Sequence, residues 1–168
     1  MRTMKTSPST DNCRLSRIAL FAGSFDPFTL GHENIVRRGL EIFDEVIVGI
    51  GINPDKHPMM IAEARKQWIE AVFAEEPRVK VIAYEGYTVD AARANGARFL
   101  LRGVRTASDF EYEKHIASIN RRLAGIETVL INTLPELEHI SSSLVRERLA
   151  AGQDISDLVP VKAPINLL

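Results

Sequence analysis

Short runs of consecutive apolar residues alternate along the chain with stretches in which apolar residues recur every three or four positions. Ile18 to Ala22, Val46 to Ile50, Val79 to Ala83, Phe99 to Leu101 and Thr128 to Ile131 are runs of the first kind. Their length and β-branched content predict strands. Between the first two, Val36, Leu40 and Phe43 fall at i, i+4 and i+7 and predict a helix over Gly31 to Phe43. Ala64, Trp68 and Val72 mark a second helix, with Ile69 and Phe73 beside them. Thr88 to Asn95, Asp109 to Leu123 and Ser143 to Ala150 complete the helices, and Gly96, Gly125 and Gly152 stand where C-terminal stops belong. Beyond Ala150 the pattern is weak, and Pro160 and Pro164 break it.

A strand–helix unit repeated five times predicts βαβ crossovers and a parallel sheet. The strands are continuous apolar runs, which predicts cover on both faces. The expected fold is therefore α/β: a single Rossmann-like, doubly wound domain with a five-stranded parallel sheet. Residues 1–16 differ from the rest. They are polar and rich in Ser and Thr, and they lack the apolar stretch of a signal peptide. They predict a flexible N-terminal tail ahead of a domain spanning 17–168, with Met4 as an alternative start.

Composition limits what such a domain binds. Of 168 residues 45% are hydrophobic, so a core needs no staples, and a chain of this length buries roughly 70% of its unfolded surface. Lys and Arg number 21 against 22 Asp and Glu, a net charge of −1. That excludes the broad basic surface of a general nucleic-acid binder but leaves room for a local anion site. The single cysteine, Cys13, cannot form an intrachain disulfide, and no Cys/His spacing suggests a zinc site. No apolar run approaches the roughly 18 residues of a membrane span.

Open α/β sheets bind ligands at the carboxyl ends of their strands. The segments expected there are Gly23 to His32, Asn53 to Pro58, Glu85 to Thr88, Arg102 to Arg105, and the loop ending in Ser141-Ser142-Ser143. They bring arginines, a lysine, histidines, hydroxyls and helix N-termini to one edge, which suits a polyanion, above all phosphates. The commoner signatures fail. No G-x-x-x-x-G-K-[ST] is present, and Gly49-Ile50-Gly51 is followed by Pro54 where a dinucleotide fingerprint needs its third glycine. Gly23-Ser24-Phe25 is not a nucleophile elbow, so Ser24 is a poor covalent nucleophile. In Thr29-Leu30-Gly31-His32, by contrast, a loop becomes a helix. Gly31 would let a phosphate approach the backbone, and His32 would aim an imidazole donor at it.

This segment resembles the T/H-x-G-H motif of the nucleotidyltransferase superfamily, which binds a nucleoside triphosphate. Ser141 to Arg146 resembles that superfamily's second motif. Gly23-Ser24-Phe25-Asp26-Pro27, Arg102-Gly103-Val104-Arg105 and Asp109-Phe110-Glu111-Tyr112-Glu113 are similar, in order and spacing, to the phosphopantetheine adenylyltransferase family. The likeness runs from about Ile18 to Ala150. It implies transfer of AMP from ATP to 4′-phosphopantetheine, with Mg²⁺ and release of pyrophosphate, in coenzyme A synthesis. It also implies a cytoplasmic homohexamer inhibited by coenzyme A, acting on neither nucleic acid nor membranes. Nicotinamide mononucleotide adenylyltransferases usually carry histidine at the Thr29 position and lack the Arg102 to Glu113 block. Cytidylyltransferases carry a different second motif. A nucleotide-binding regulator without turnover would not need His32, Lys56 and Arg105 together.

The roles implied by the resemblance are specific. His32, Lys56 and Arg105 would be catalytic, with His32 donating to the α-phosphate and Lys56 touching phosphates of both reactants. ATP would be held by Ser24, Phe25, His32, Gly103, Val104, Arg105, Glu113 and the stretch Leu137, Glu138, His139, Ile140, Ser141, Ser142, Ser143. Phosphopantetheine would be held by Ser24, Lys56, Thr88 and Arg102. No residue is expected to ligate a metal. The chain departs from the family's usual pattern at Leu137 to Ile140, where an aromatic residue is common, and at Ala22, where proline is. Judged on their own, Ser141 to Ser143 read as helix-cap residues, Glu113 as an exposed glutamate, and Arg102-Gly103-Val104-Arg105 as a strand end whose glycine permits close backbone approach.

Overall fold

A computed structural model describes residues 15–161 of the chain. Most of the expected N-terminal tail, and residues 162–168, lie outside them; Leu15 and Ser16 are exposed. The elements are β1 (Ile18–Gly23), α1 (Leu30–Gly39), β2 (Glu45–Ile52), α2 (Ala62–Val72), β3 (Val79–Glu85), α3 (Thr88–Ala94), β4 (Phe99–Val104), α4 (Ala107–Ala124), β5 (Glu127–Asn132) and α5 (Ser142–Ala150). A single 3-10 turn, Pro135–Leu137, precedes α5. All four strand pairings are parallel, in the order β3-β2-β1-β4-β5. The chain first builds outward from β1 on one side and then on the other. The order therefore reverses between β1 and β4, where doubly wound sheets open their ligand crevice.

The sheet is covered on both faces. On one, Phe21, Val48 and Leu101 pack with Ile35 and Val36 of α1 and Ile69 of α2. On the other, Leu20, Ile47 and Leu100 pack with Ala91 and Ala92 of α3 and with Ala124 of α4. Burial on both faces holds for the inner strands. The edge strands β3 and β5 are only partly covered, because each has a neighbour on one side.

Three expectations need correction. First, α1 stops at Gly39 instead of running to Phe43. A Cβ on Gly39 would lie 2.7 Å from Leu101, so the helix meets β4 there without a side chain. Phe43 reaches the same core from the following turn, where its amide bonds Gly39 O. Second, β4 extends through Arg102, Gly103 and Val104, which were expected to follow it. Third, the weak pattern after α5 hides a firmly packed segment. Ile155 and Leu158 are fully buried against Trp68 of α2 and Val145 of α5, and the Leu158 carbonyl accepts the Leu30 amide at 3.0 Å. The chain's last described turn thus props the first residue of α1. The glycine stops fit the sequence reading: Gly96, Gly125 and Gly152 all have positive φ.

Candidate active site

A cleft of about 450 Å³ opens over the carboxyl ends of β1 and β4. Its walls come from Gly23 to Phe25, the start of α1, the end of β4, the first turns of α4 and the start of α5. His32 is the N3 residue of α1 and closes a capping box. The Thr29 side chain accepts the His32 amide, and the His32 ring takes the Thr29 amide at Nδ1, 3.1 Å away. A ring nitrogen that accepts a backbone N–H carries no proton, so the neutral ring's hydrogen sits on Nε2. The ring lies edge-on to Phe25, with centroids 5.1 Å apart, and Phe28 and Phe21 are close by. Burial in this aromatic nest lowers the His32 pKa to about 4, and the charges of Arg105 and Arg102 push the same way. At neutral pH His32 is an uncharged donor with one fixed tautomer.

Arg102 and Glu113 form the cleft's strongest pair. The Arg102 guanidinium donates to both carboxylate oxygens, at 2.5 and 3.0 Å, and also to the Ala22 carbonyl. Glu113 is only 7% exposed, so it is not the exposed glutamate its sequence neighbours suggest. Arg105 follows β4 and leans on Asp109, its amide and Nε lying 3.2 and 3.4 Å from Oδ2. A Cβ on Gly103 would come within 3.0 Å of Ile35. The close approach this glycine permits is therefore that of α1, where a ligand had been expected. Gly31 is different: the nearest atom to its missing Cβ is Thr29 Oγ1 at 3.6 Å, and the residue lines the cleft.

Ser141 is the N-cap of α5, and its hydroxyl accepts the Leu144 amide at 3.1 Å. Ser142 donates to the Pro27 carbonyl, and Ser143 accepts from Arg146. All three serines line the cleft, so capping and exposure to a ligand coexist. Leu137 and Ile140 line it too, but Glu138 and His139 are exposed away from it. The 3-10 turn explains this. The Ile140 amide bonds Leu137 O, so residues three apart share the inner side and the two between face outward. Val104, 3% exposed, is packed into the core and is absent from the cleft wall.

Two further cavities adjoin the cleft. One, of about 330 Å³, shares Ala22, Gly23, Arg102, Tyr112 and Glu113 with it and runs between Leu20, Leu100 and Ile116. Thr88 lies here, its hydroxyl 2.8 Å from that of Tyr84. The other cavity shares Ser24 and Arg146 with the cleft and holds Lys56 on the exposed loop after β2. Lys56 thus stands beside the cleft and not on its wall. Among the described residues no three His, Cys, Asp or Glu side chains gather to hold a metal, and the carboxylates of Asp109 and Glu113 face arginines.

In the loop from Ser24 to Pro27 the resemblance gives ligand-binding roles to Ser24 and Phe25 alone. The loop's backbone is unusual, because Phe25 has φ +49°. A left-handed conformation costs a non-glycine residue roughly 1–2 kcal/mol. Side chains from two helices hold it there. Arg65 of α2 donates to the Ser24 carbonyl at 2.5 Å, and Arg146 of α5 donates to the Asp26 carbonyl at 2.6 Å. The Asp26 carboxylate accepts the Met59 and Met60 amides at 2.7 and 2.9 Å. Sequence reading passed over Asp26, Arg65 and Arg146 in these roles. An arginine on the inner, apolar side of an amphipathic helix is the one signal that marks Arg65.

A family model described as Cytidylyltransferase-like matches residues 20–148. The chain is 54% identical over 144 residues to a phosphopantetheine adenylyltransferase of Phocaeicola vulgatus, a match covering 86% of this chain and 95% of that protein. It is 54% identical over 143 residues to the phosphopantetheine adenylyltransferase of Porphyromonas gingivalis, covering 85% and 94%. It is 49% identical over 150 residues to that of Bacteroides thetaiotaomicron, covering 89% and 99%. With likeness at this level across nearly all of the α/β domain, the chain belongs to the phosphopantetheine adenylyltransferase family of cytidylyltransferase-like proteins.

Proposed function

We infer that this chain transfers AMP from ATP to 4′-phosphopantetheine, giving dephospho-coenzyme A and pyrophosphate. The observation that carries the reading is the convergence of His32, Arg102, Arg105 and the N-terminus of α5 on one cleft, with a second cavity joined to it at Arg102. The cleft suits a triphosphate, and the second cavity, with aliphatic side chains and a few hydroxyls and one amide in its wall, suits a slender chain with scattered polar groups.

In the reaction a phosphate oxygen of phosphopantetheine attacks the α-phosphorus of ATP. One P–O bond forms and the bond to the β-phosphate bridge breaks. The nucleophile is already anionic, so no general base is needed. Catalysis reduces to positioning and to neutralising charge as it moves. The residues present match that need, being donors and cations with no nucleophile–base pair. His32 would donate its Nε2 hydrogen to an oxygen of the α-phosphate as charge builds there. Because the ring is neutral, it stabilises the transition state without holding the ground-state anion by full charge. Arg105 and the first amides of α5 would receive the phosphates of ATP. Arg102 would receive the phosphate end of phosphopantetheine, Lys56 would reach phosphates from its neighbouring cavity, and Thr88 would line the channel for the pantetheine arm.

Magnesium fits this site as part of the ATP it accompanies. Mg²⁺ commonly keeps several waters and is held largely by substrate phosphates. No residue of this chain is assigned to it. Assembly as a homohexamer, inhibition by coenzyme A and a cytoplasmic location are further proposals that follow from family membership. No helix among the described residues is long and apolar enough to cross a membrane.

The test is pyrophosphate release from ATP and Mg²⁺ with single candidate acceptors. Release is expected with 4′-phosphopantetheine. Turnover with nicotinamide mononucleotide and none with phosphopantetheine would overturn the assignment.

A further inference from the structure

Arg65 is the most thoroughly buried cation described here, 4% exposed on the inner side of α2. One Nη donates to the Ser24 carbonyl, and Nε has no partner. Asp26 is near enough to act on it electrostatically, but the Asp26 oxygens are taken by the Met59 and Met60 amides. Burying a guanidinium with so few acceptors is costly, and an apolar residue of similar volume would serve stability as well or better. Its place is therefore explained by what it holds.

What it holds is one peptide unit. The carbonyl of Ser24 and the amide of Phe25 belong to the same planar trans peptide and point in opposite directions. Arg65 fixes the carbonyl from the side of the cavity that holds Lys56. The Phe25 N–H is thereby directed the other way, on a residue that lines the His32 cleft. Among the described residues no protein acceptor takes that N–H. Phe25 holds this orientation at positive φ, and a backbone in that region relaxes unless its surroundings hold it.

We propose that Arg65 is a positioning residue for the transfer: by clamping the Ser24 carbonyl it presents the Phe25 amide, beside His32, to an oxygen of the α-phosphate. The inference rests on the function proposed above. It gives the site two neutral donors, the His32 Nε2–H and a backbone N–H, on one side of the reacting phosphorus. Arg65 itself touches no substrate.

The experiment compares Arg65→Met, which keeps the stem and removes every donor, with Arg65→Lys, which keeps a cation able to reach one carbonyl. Each is assayed for kcat, for ATP dissociation constant by calorimetry, and for folding by near-ultraviolet dichroism. Arg65→Met is expected to lose at least tenfold in kcat with ATP affinity within threefold of wild type. Arg65→Lys is expected to stay within threefold of wild type in both. If the arginine acts only on the fold, Arg65→Met changes stability alone and leaves kcat per folded molecule unchanged. The second measurement needs no variant. In ¹H–¹⁵N spectra of the wild type, ATP should move the Phe25 amide resonance, and the movement should be lost in Arg65→Met. The proposal falls if Arg65→Met keeps its kcat, if it loses kcat and ATP affinity in equal measure, or if ATP leaves the Phe25 amide in place. Should Arg65→Met not fold, Arg65→Lys takes its place, with near wild-type kcat and a retained Phe25 shift expected, and a wild-type spectrum in which ATP leaves the Phe25 amide in place overturns the proposal. A wild type that binds ATP and shifts this amide, yet never turns over phosphopantetheine, would instead overturn the reading of function.

Discussion

The two spaces that meet at Arg102 are built in opposite ways. The His32 cleft is walled by helix N-termini and strand ends, and its polar groups are held by caps, boxes and ion pairs before any ligand arrives. The cavity beyond Arg102 is walled by Leu20, Leu100, Ile116 and Ala117, with a few hydroxyls and one amide among them. The first suits a compact polyanion whose charges must be met at fixed points. The second suits a chain that is bound mainly by shape and loss of water. The Arg102–Glu113 pair is the partition, because both residues line both spaces. A substitution should therefore report on one reactant or the other, according to the side of the partition on which it falls.

The largest effect is expected at His32. Its donor acts where charge develops, so its loss should appear in turnover and hardly in binding. His32→Ala should lower kcat at least a hundredfold, on the order of 3–4 kcal/mol, with ATP affinity within a few-fold of wild type. His57→Ala, on the exposed loop after β2, is the control and should lose less. Steady-state kinetics beside calorimetric ATP titration separate the two quantities. A His32→Ala enzyme that keeps its kcat and loses ATP affinity would make this histidine a binding group.

The same ring makes a prediction about pH. Unfolded, it takes a proton near pH 6.5; folded, only near pH 4, because of burial and then of Arg105 and Arg102. Between those values the unfolded chain binds more protons, so folding stability falls as pH drops from about 6.5 to about 4. Above pH 6.5 the group makes no difference, and below pH 4 its penalty is complete. A shift of this size corresponds to about 3 kcal/mol. Urea unfolding from pH 7 to pH 4 should show a steeper loss for wild type than for His32→Ala. Equal slopes would mean that the folded ring titrates near its ordinary value.

The polar cleft was legible in the sequence and the apolar cavity was not. Thr29, Gly31 and His32 mark a helix start open to a phosphate, and the resemblance of this segment and of Ser141 to Ser143 to two nucleotidyltransferase motifs turned cap residues into a site. Leu20, Leu100 and Ile116 read as core because nothing in a run of aliphatics tells a residue that fills the interior from one that lines a void. Strand order was legible only as a class, since alternation predicts parallel strands without saying which side of β1 the later strands take. The burial of Glu113 was missed because its partner is eleven residues away across a helix–strand contact. Likewise, Ile155 and Leu158 lie in a stretch without periodicity, and only their packing on Trp68 shows that they matter.

Arg102→Ala tests the partition itself. It should weaken phosphopantetheine by about tenfold to a hundredfold, the 1.5–3 kcal/mol expected for a lost charge-assisted hydrogen bond, and ATP by less. It also strands Glu113, buried and unpaired, so thermal stability should fall as well. Arg102→Lys should recover part of that stability and less of the binding, because an ammonium cannot span both carboxylate oxygens and the Ala22 carbonyl at once. Calorimetry with each ligand distinguishes the cases. Equal losses for both reactants would make the pair a shared strut and remove the partition.

The smallest effect belongs to the apolar side and is the most discriminating for that reason. Thr88 opens α3, and its hydroxyl bonds that of Tyr84 in the wall of the second cavity. Thr88→Val keeps the shape and removes this one hydrogen bond, whose net worth is about 1 kcal/mol. Tyr84 is only half-buried, so water can replace part of the lost hydrogen bond and the stability change should stay below about 1 kcal/mol. If the pantetheine arm lies in this cavity, the change removes a polar group from its wall without altering the width. Phosphopantetheine should then weaken by about threefold to fivefold, and ATP should bind unchanged, since no atom of Thr88 lines the His32 cleft. Titration of each ligand in the absence of the other measures both numbers. A drop in ATP affinity equal to the drop for phosphopantetheine would mean that the two spaces communicate through Tyr112 and Glu113, and that the site is one continuous trough. An unchanged affinity for both would place the pantetheine arm elsewhere, and the cavity holding Lys56 would then be the path to examine.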